Sequence, residues 1–547
     1  MDAFEANESR YRSWSRLAGK GPEGSQEWDV IVIGGGITGA GILREAARCG
    51  LRAALVEQRD FAWGTSSRSS KMVHGGLRYL MVAHVKLTRD SVRERERLLR
   101  ESPGLIDPLG FLFSNYRGRK PGRLSMNVLL TAYDLLARRW NHRYFPAYEY
   151  ALLVPRIRLE GLKGGTQYGD AVTDDSRLVF RVIREAQREG ALALNYVKAD
   201  NLITKRERVC GVAVRDVLSG ETFEIRARTV VNATGAWADR LRQQVAGGTD
   251  IRPLRGSHLV FPYWRIPIAQ AIGLMHPRDG RPVFFMPWEG ITVVGCTDLD
   301  HDQDLDVEAR ITKQEVDYLL EMVNYQFPSL GIKNGDILST YSGIRPVIAR
   351  GASDPSKERR DHSIWVEKGL ISVSGGKLTT FRLIALDVLR HIAGFIPDMT
   401  VKDTVEPVFH RASGREIPIG RLDSSLRQRL AGHYGKEAKE VIRCAGHGEL
   451  ERVPGTDTLW AELRWAARNE AVVHLEDLLL RRTRLGLLLP EGGVSILDYV
   501  RSLCQEILGW KDDRWYSELD AYRELWRKCY SVPGMMETNI TPDTNRT

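Results

Sequence analysis

Three glycines at fixed spacing, Gly34, Gly36 and Gly39, follow a short apolar run (residues 29–33) and open a segment with helical spacing. In that setting the pattern binds a dinucleotide. Gly34 permits the tight turn, Gly36 lets the backbone approach a pyrophosphate, and Gly39 lets the helix pack against the strand. The helix N-terminus offers unpaired N–H groups and partial positive charge to the phosphates. Glu57 closes a second apolar run and is placed to accept from ribose hydroxyls. Two later strand-end turns, NATG at 232–235 and GGKL at 375–378, also put small residues where a ligand would pass. An NAD enzyme usually carries one such unit and a separate catalytic domain; three remote turns around one ligand favour an extended FAD.

The elements that position these turns are legible in outline. Residues 29–57 read as strand, helix and strand, ended at Gly50 by a helix stop. Strands and a helix alternate from about 165 to 235, residues 255–300 are β-rich, and 370–380 run from strand into helix. Beyond about 400 the pattern is helical, with a Trp- and Arg-rich stretch at 458–486. Residues 1–28 read as a flexible leader, neither secretory signal nor transit peptide, and the tail from Pro533 as a frayed polar end.

At 547 residues the chain has room for three or four modules of roughly 150 residues each. No apolar run approaches the ~18 residues needed to cross a bilayer. The six cysteines, Cys49, Cys210, Cys296, Cys444, Cys504 and Cys529, form no Cys-x-x-Cys pair, so neither a disulfide framework nor a metal site is expected and a reducing compartment fits. The net charge of +9 favours anionic partners without choosing among phosphorylated substrates, acidic lipids and nucleic acid. An acid run from Asp298 to Asp306 lacks the glycine and terminal Glu of an EF-hand and reads as a solvated loop.

Several strings resemble the FAD-dependent glycerol-3-phosphate dehydrogenases, within the wider glycine oxidase and D-amino-acid oxidase superfamily. They are residues 29–41, TSSRSSK at 65–71, HGGLRYL at 74–80, NATGAW at 232–237, GSH at 256–258, YSGIRP at 341–346 and SGGKLTT at 374–380. Residues 478–486, with Arg481, Arg482 and Arg484, resemble that family's appended helical domain. The likeness covers roughly residues 28–530; Cys296 departs from it, standing where the family usually has Thr.

The resemblance implies an α/β plus α fold: a Rossmann-like FAD-binding domain, an inserted β-rich cap domain and a C-terminal all-helical domain. The expected boundaries are 29–110, 165–250 and 335–398 for FAD binding, 111–164 and 251–334 for the cap, and 399–532 for the helices. It implies noncovalent FAD held by Gly34, Gly36, Gly39, Glu57, Thr65, Ser66, Ser67, Ser70, His74, Gly75, Gly235, Gly376, Lys377, Leu378 and Thr379. It also implies that Arg78, Tyr79, His258, Arg345, Arg360 and Lys377 line a pocket for sn-glycerol 3-phosphate, with His258, Arg345 and Lys377 catalytic; Arg359 competes with Arg360 for its place. Arginine suits a dianionic phosphate because its donors are planar and paired. His258 is the natural base, since an unperturbed histidine pKa of about 6.5 lies close to neutrality and neighbouring cations would keep it uncharged.

The implied reaction is oxidation to dihydroxyacetone phosphate, with hydride to flavin N5 and electrons passed to membrane quinone. The implied location is cytoplasmic, on the cytoplasmic face of the inner membrane. An oxygen-using glycerol-3-phosphate oxidase and a 2-hydroxy acid or amine oxidase on the same scaffold are the alternatives, the latter needing fewer cations than the matched strings supply. A basic RNA- or DNA-binding flavoprotein is a remote one, and no nucleic-acid partner is expected; a homodimer is left open. Residues 117–143 carry seven Arg/Lys against one acid, Asp134, with Leu124, Val128, Leu129, Leu135 and Leu136 at helical spacing and Trp140 and Tyr144 at the edge. That pattern fits a helix lying on an anionic membrane surface, or one packed on the protein's own core.

Overall fold

The computed structural model describes residues 4–19, 27–81, 84–349, 351, 361–397, 399–401, 406–417 and 422–534. Strand Trp28–Ile33 is buried at all but Asp29, as an interior strand covered on both faces must be. Its sheet runs His362–Glu367, Leu370–Gly375, Thr222–Asn232, Trp28–Ile33, Ala53–Val56, Leu192–Leu194. All but the first of these strands are parallel to their neighbours. Ile33 lies beside Asn232, and Asn232 beside Ser372. The three glycine-bearing turns therefore leave adjacent strands at one end of the sheet. Helices Ile37–Arg48, Asp175–Arg188 and Phe381–Ala393 share a core through Ile42, Leu43, Val179, Ile183, Ala385 and Val388.

A second sheet of ten strands includes Ile106–Tyr116, Leu162–Thr173, Ile251–Pro262, Ala271–Met275, Pro282–Trp288 and Ile291–Gly295. Strand Ser339–Ile348, which we expected within the FAD-binding part, pairs with Ile251–Pro262 from Ile348 against Ile251 to Ser339 against Val260. Strand Ser339–Ile348 is buried at all but Arg345 and Pro346, so its sequence carries no alternation that would point to its partner. The C-terminal part is helical, with Ser424–Tyr434, Trp460–Asn469, Leu497–Cys504 and Asp512–Cys529 among its helices. Its Leu475, Leu478, Leu479, Leu485 and Leu487 share one core with Val260, Trp288 and Tyr341, so it braces the strands of the second sheet from behind.

The leader departs from expectation. Residues Phe4–Leu17 form a helix whose Trp14 and Leu17 are buried, with Trp14 edge-on to Phe223 at 4.5 Å. Arg10 bonds Asn195 O at 2.7 Å and Asp216 at 3.0 Å, and Trp14 Nε1 donates to Glu221 at 2.8 Å. Trp14 and Leu17 are three residues apart and share a helix face, a pattern hidden by the polar residues around it.

Helix Arg123–Ala137 carries two apolar sides. Met126, Leu130 and Tyr133 pack with Val92 and Phe111, whereas Leu124, Val128 and Leu135 are exposed, together with Trp140, Tyr148 and Leu152 nearby in the chain. Among the described residues no helix is long and apolar enough to cross a membrane.

Candidate active site

The first glycine turn is built around close backbone approaches. Gly34 has φ +113°, and a Cβ on Gly39 would fall 1.9 Å from the Gly34 carbonyl oxygen, so neither position tolerates a side chain. Gly36 caps helix Ile37–Arg48 without a side-chain partner, and Ile37 N donates to Ser66 Oγ at 3.0 Å. Glu57 accepts from Gly35 N at 2.6 Å and Arg59 N at 2.9 Å; burial raises its pKa against those two donors. At the neighbouring strand ends, Ser374 Oγ donates to Gly235 O at 2.9 Å, and Thr379 Oγ1 accepts from His74 N at 3.1 Å. A helix N-terminus capped by Gly36, a fixed carboxylate and two further turns at the same end of the sheet fit an extended dinucleotide.

His258 lies on strand Ile251–Pro262, directly across from Gly295 on one side and Tyr341 on the other. It is 1% exposed and stacks on Tyr341 with ring centroids 4.5 Å apart and planes 14° apart. Its Nε2 meets Ser70 Oγ at 2.8 Å. Burial, then the charges of Arg345 and Lys71, hold its pKa well below the ordinary histidine value, so the ring is neutral. Arg345 donates to Cys296 Sγ at 2.7 Å and to Asp298 Oδ1 at 2.9 Å. Burial opposes its charge, but Cys296 and Asp298 outweigh that and raise its pKa. A Cβ on Gly256 would sit 2.3 Å from Arg345 Nη2; the bare glycine makes room for the guanidinium.

A second cation group forms where HGGLRYL meets SGGKLTT. Lys377 Nζ lies 3.5 Å from the centroid of the Tyr79 ring and donates to Ser91 Oγ at 3.2 Å. Gly76 approaches Lys377 closely, since a Cβ there would fall 2.9 Å from Nζ. Residues 70–79 thus connect the His258 group to the Lys377 group.

The profile described as FAD dependent oxidoreductase matches residues 29–390, and that described as C-terminal domain of alpha-glycerophosphate oxidase matches 398–515. The aerobic glycerol-3-phosphate dehydrogenase of Staphylococcus haemolyticus is 35% identical over 485 residues, 84% of this chain and 87% of its own. This chain belongs to the aerobic glycerol-3-phosphate dehydrogenase family of FAD-dependent oxidoreductases. The relative of the same name from Staphylococcus aureus USA300 is 33% identical over 485 residues, 84% of this chain and 87% of its own. The crystal structure of glycerol-3-phosphate dehydrogenase from Bacillus halodurans complexed with FAD superimposes with TM-score 0.78 at 28% identity, covering 98% of this chain and 99% of that one. L-alpha-glycerophosphate oxidase from Mycoplasma pneumoniae shares the fold, at TM-score 0.55 and 18% identity over 70% of this chain and 99% of its own.

The cofactor of this FAD-dependent oxidoreductase is FAD, and the turns above are the groups that would hold it. The other residues singled out in the sequence are distributed unevenly around them. Thr65 Oγ1 donates to Ile344 O, and Ser67 offers its carbonyl to Lys71 and Arg484, both at 2.7 Å. Gly75 N donates to Asp170 at 2.9 Å. Gly376 has φ +81° and abuts Ile384, and Leu378 opens the 3-10 turn Leu378–Thr380. Arg78 lies on helix Leu77–Met81; Arg359 and Arg360 lie outside the described residues. Asp298 corrects the reading of the acid run as merely solvated: it is buried and pairs with Arg345, while Asp304 and Asp306 pair with Arg240. Lys71, Asp175 and Arg484 are the residues that sequence reasoning missed. They form a fully enclosed cluster behind Ser70, and the only sequence signal was that Lys71 ends one matched string and Arg484 lies within another.

Proposed function

We propose that this enzyme oxidises sn-glycerol 3-phosphate to dihydroxyacetone phosphate and passes the electrons to membrane quinone. The observation that carries the reading is a histidine held neutral beside a fixed arginine: His258, with Arg345 next to it, in a chain whose family oxidises through FAD. FAD, when bound, supplies the two-electron acceptor for the hydride on C2 of the substrate. Arg345 and Lys377 bring positive charge to a substrate phosphate and to the developing alkoxide. His258 takes the hydroxyl proton, which a charged imidazolium could not do. The exposed leucines of helix Arg123–Ala137, with Arg117, Arg123, Arg138, Arg139 and Arg143 exposed around them, support docking on an anionic bilayer, where a quinone is met.

The test is anaerobic bleaching of the flavin by glycerol 3-phosphate against a panel of hydroxy and amino acids, followed by reoxidation with a quinone analogue or with air. Bleaching by glycerol 3-phosphate and reoxidation by quinone is the expected result; bleaching only by carboxylate substrates overturns it. The match of residues 398–515 to an oxidase C-terminal domain favours one second reading, an oxygen-using glycerol-3-phosphate oxidase. Fast reoxidation in air with stoichiometric peroxide would establish that one. Arg345→Ala and Lys377→Ala should each lose about 30- to several-thousand-fold in turnover, corresponding to about 2–5 kcal/mol for a desolvated charged contact. Turnover is compared per bound flavin, and the loss of activity should far exceed any loss of folding; near-normal turnover in both variants removes them from the site.

A further inference from the structure

His258 is 1% exposed, its ring is covered on one face by Tyr341, and Gly295 approaches so closely that a Cβ there would fall 2.4 Å from His258 Cδ2. A substrate has no direct approach to such a ring. The polar contact His258 makes toward the site is with Ser70 Oγ, at 2.8 Å from Nε2, and Ser70 is only half-buried. Its other ring nitrogen, Nδ1, is buried without a hydrogen-bond partner. We propose that Ser70 is a catalytic residue of this enzyme: its hydroxyl relays the substrate proton to His258, and the C-terminal domain, through Arg484, is what holds it in place. The proposal rests on His258 being the base.

The proton balance is simple. The substrate C2–OH loses its proton to Ser70 Oγ as the Ser70 O–H proton passes to His258 Nε2. The C2 hydride carries both electrons, for which FAD, when bound, would supply the acceptor. The product is the ketone, and His258 ends with one additional proton. This requires Nε2 to be the acceptor and Nδ1 to carry the resting proton. The charged and titratable groups around the ring are Arg345 and Tyr341 from Ser339–Ile348, Cys296 after Ile291–Gly295, and Lys71 beyond Tyr341. None of them accepts from Nδ1, whose atom lacks any partner.

A relay demands a hydroxyl that does not wander, and the segment carrying Ser70 is clamped on both sides. Asp175 accepts from Ser69 N at 2.8 Å, Ser69 Oγ at 2.7 Å and Lys71 Nζ at 2.8 Å. Tyr341 OH donates to Ser69 O at 3.0 Å. Arg484, from the C-terminal domain, completes the cluster by donating to Asp175 at 3.1 Å and Ser67 O at 2.7 Å. Lys71 and Arg484 both adopt left-handed backbone, at φ +58° and +63°. Such conformations cost non-glycine residues energy and persist where surrounding contacts impose them. Two of them meeting at one carboxylate mark a cluster built for placement.

The experiment measures flavin reduction by glycerol 3-phosphate in anaerobic stopped flow, on holoenzyme. Ser70→Ala should slow reduction, measured per bound flavin, by about 100-fold or more, within the range of a lost general base, with substrate affinity within about twofold of wild type. Ser70→Thr, which keeps the hydroxyl, should recover most of the rate. The dependence of rate on D2O fraction should be curved for wild type, with two protons in flight, and should lose that curvature in Ser70→Ala. Arg484→Met, or Arg484→Lys if the first does not retain FAD, should slow reduction about tenfold. Combined with Ser70→Ala it should add nothing further. Wild-type reduction by Ser70→Ala, or no recovery by Ser70→Thr, overturns the relay; an additive double variant overturns the role of Arg484. His258→Gln separates the two levels. If it reduces flavin normally, the base assignment fails and the relay with it; if it is slow while Ser70→Ala is normal, only the relay fails.

Discussion

Residues 481–484 and residues 117–143 are both rich in arginine, and the fold sends them to opposite places. Arg481, Arg482 and Arg484 are at most 2% exposed. Asp60 takes both Arg481 and Arg482, and Asp175 takes Arg484. Arg138, Arg139 and Arg143 stand in solvent, and the single acid of their stretch, Asp134, turns inward to His142 at 2.7 Å. The composition of a basic segment does not decide its fate. What decides it is whether carboxylates elsewhere in the chain are placed to receive it, because a charge leaves water only for a partner. A basic stretch whose one outside carboxylate partner among the described residues, Glu149 at 4.0 Å from Arg143, is itself exposed, and which is flanked by outward leucines, is left facing whatever lies outside.

The sharpest way to break this contrast is to remove one arginine from each class. Arg482→Ala leaves Asp60 buried with half of its pairing gone, and should lower unfolding free energy by about 3–5 kcal/mol in denaturant melts of the holoenzyme. Arg139→Ala should stay within about 0.5 kcal/mol of wild type. Equal effects would mean that the two stretches do not differ in kind. The Asp60 pair also carries a pH signature. Burial alone would raise that carboxyl; Arg482 and Arg481 outweigh it and hold it at about 2 against an ordinary 3.8. A carboxylate with a depressed folded pKa stabilises above its unfolded value and ceases to as pH falls through the folded one. This part of the stability should therefore be complete above about pH 4 and gone near pH 2. The Arg482→Ala variant should show a shallower acid transition.

Next in size, Arg138→Glu, Arg139→Glu and Arg143→Glu together should reduce partition onto anionic vesicles at low salt by about 100-fold or more, at about 1 kcal/mol per basic residue near the surface. Turnover with a soluble dye should be unchanged. Wild-type protein that stays in solution with such vesicles removes the membrane reading. The smallest expected effect sharpens the contrast within one helix. Leu135→Ser on the outward side should weaken vesicle binding a fewfold and leave stability within about 0.5 kcal/mol. Leu130→Ser, on the inward side of the same helix, should instead destabilise by about 2–4 kcal/mol, in the range for emptying a core site.

What the sequence revealed followed the range of the interactions involved. The turn at Gly34, Gly36 and Gly39 is set by neighbours within a few residues, so its function could be read locally. The site strings were recognisable because their residues stand consecutively. The cluster of Lys71, Asp175 and Arg484 was invisible, since Arg484 lies 309 residues from Asp175 and no periodic pattern marks such a meeting. Asp298 was read as solvent-facing because acid runs usually are; here one member turns inward to Arg345 while Asp304 and Asp306 stay at the surface with Arg240. The N-terminal helix escaped notice because two buried side chains among polar ones give a weak signal. Strand Ser339–Ile348 was not read as a strand, because Gly343 and Pro346 interrupt its pattern and its pairing with Ile251–Pro262 is long-range.

The distance between Asp60 and the arginines that neutralise it has a consequence on the ribosome. Asp60 emerges 421 residues ahead of Arg481, and Asp175 emerges 309 residues ahead of Arg484. At about 5–20 residues per second, those carboxylates wait between about 15 and 80 seconds for their partners. Until then, closing the fold over Asp60 buries a carboxylate without its arginines, so the chain must remain open or hydrated there, whereas Asp175 already has Lys71 and awaits only its second cation. Commitment to the native fold is therefore delayed to the last stretch of translation. Any truncation upstream of Arg481 removes more than a terminal module, because it leaves the first domain unable to finish.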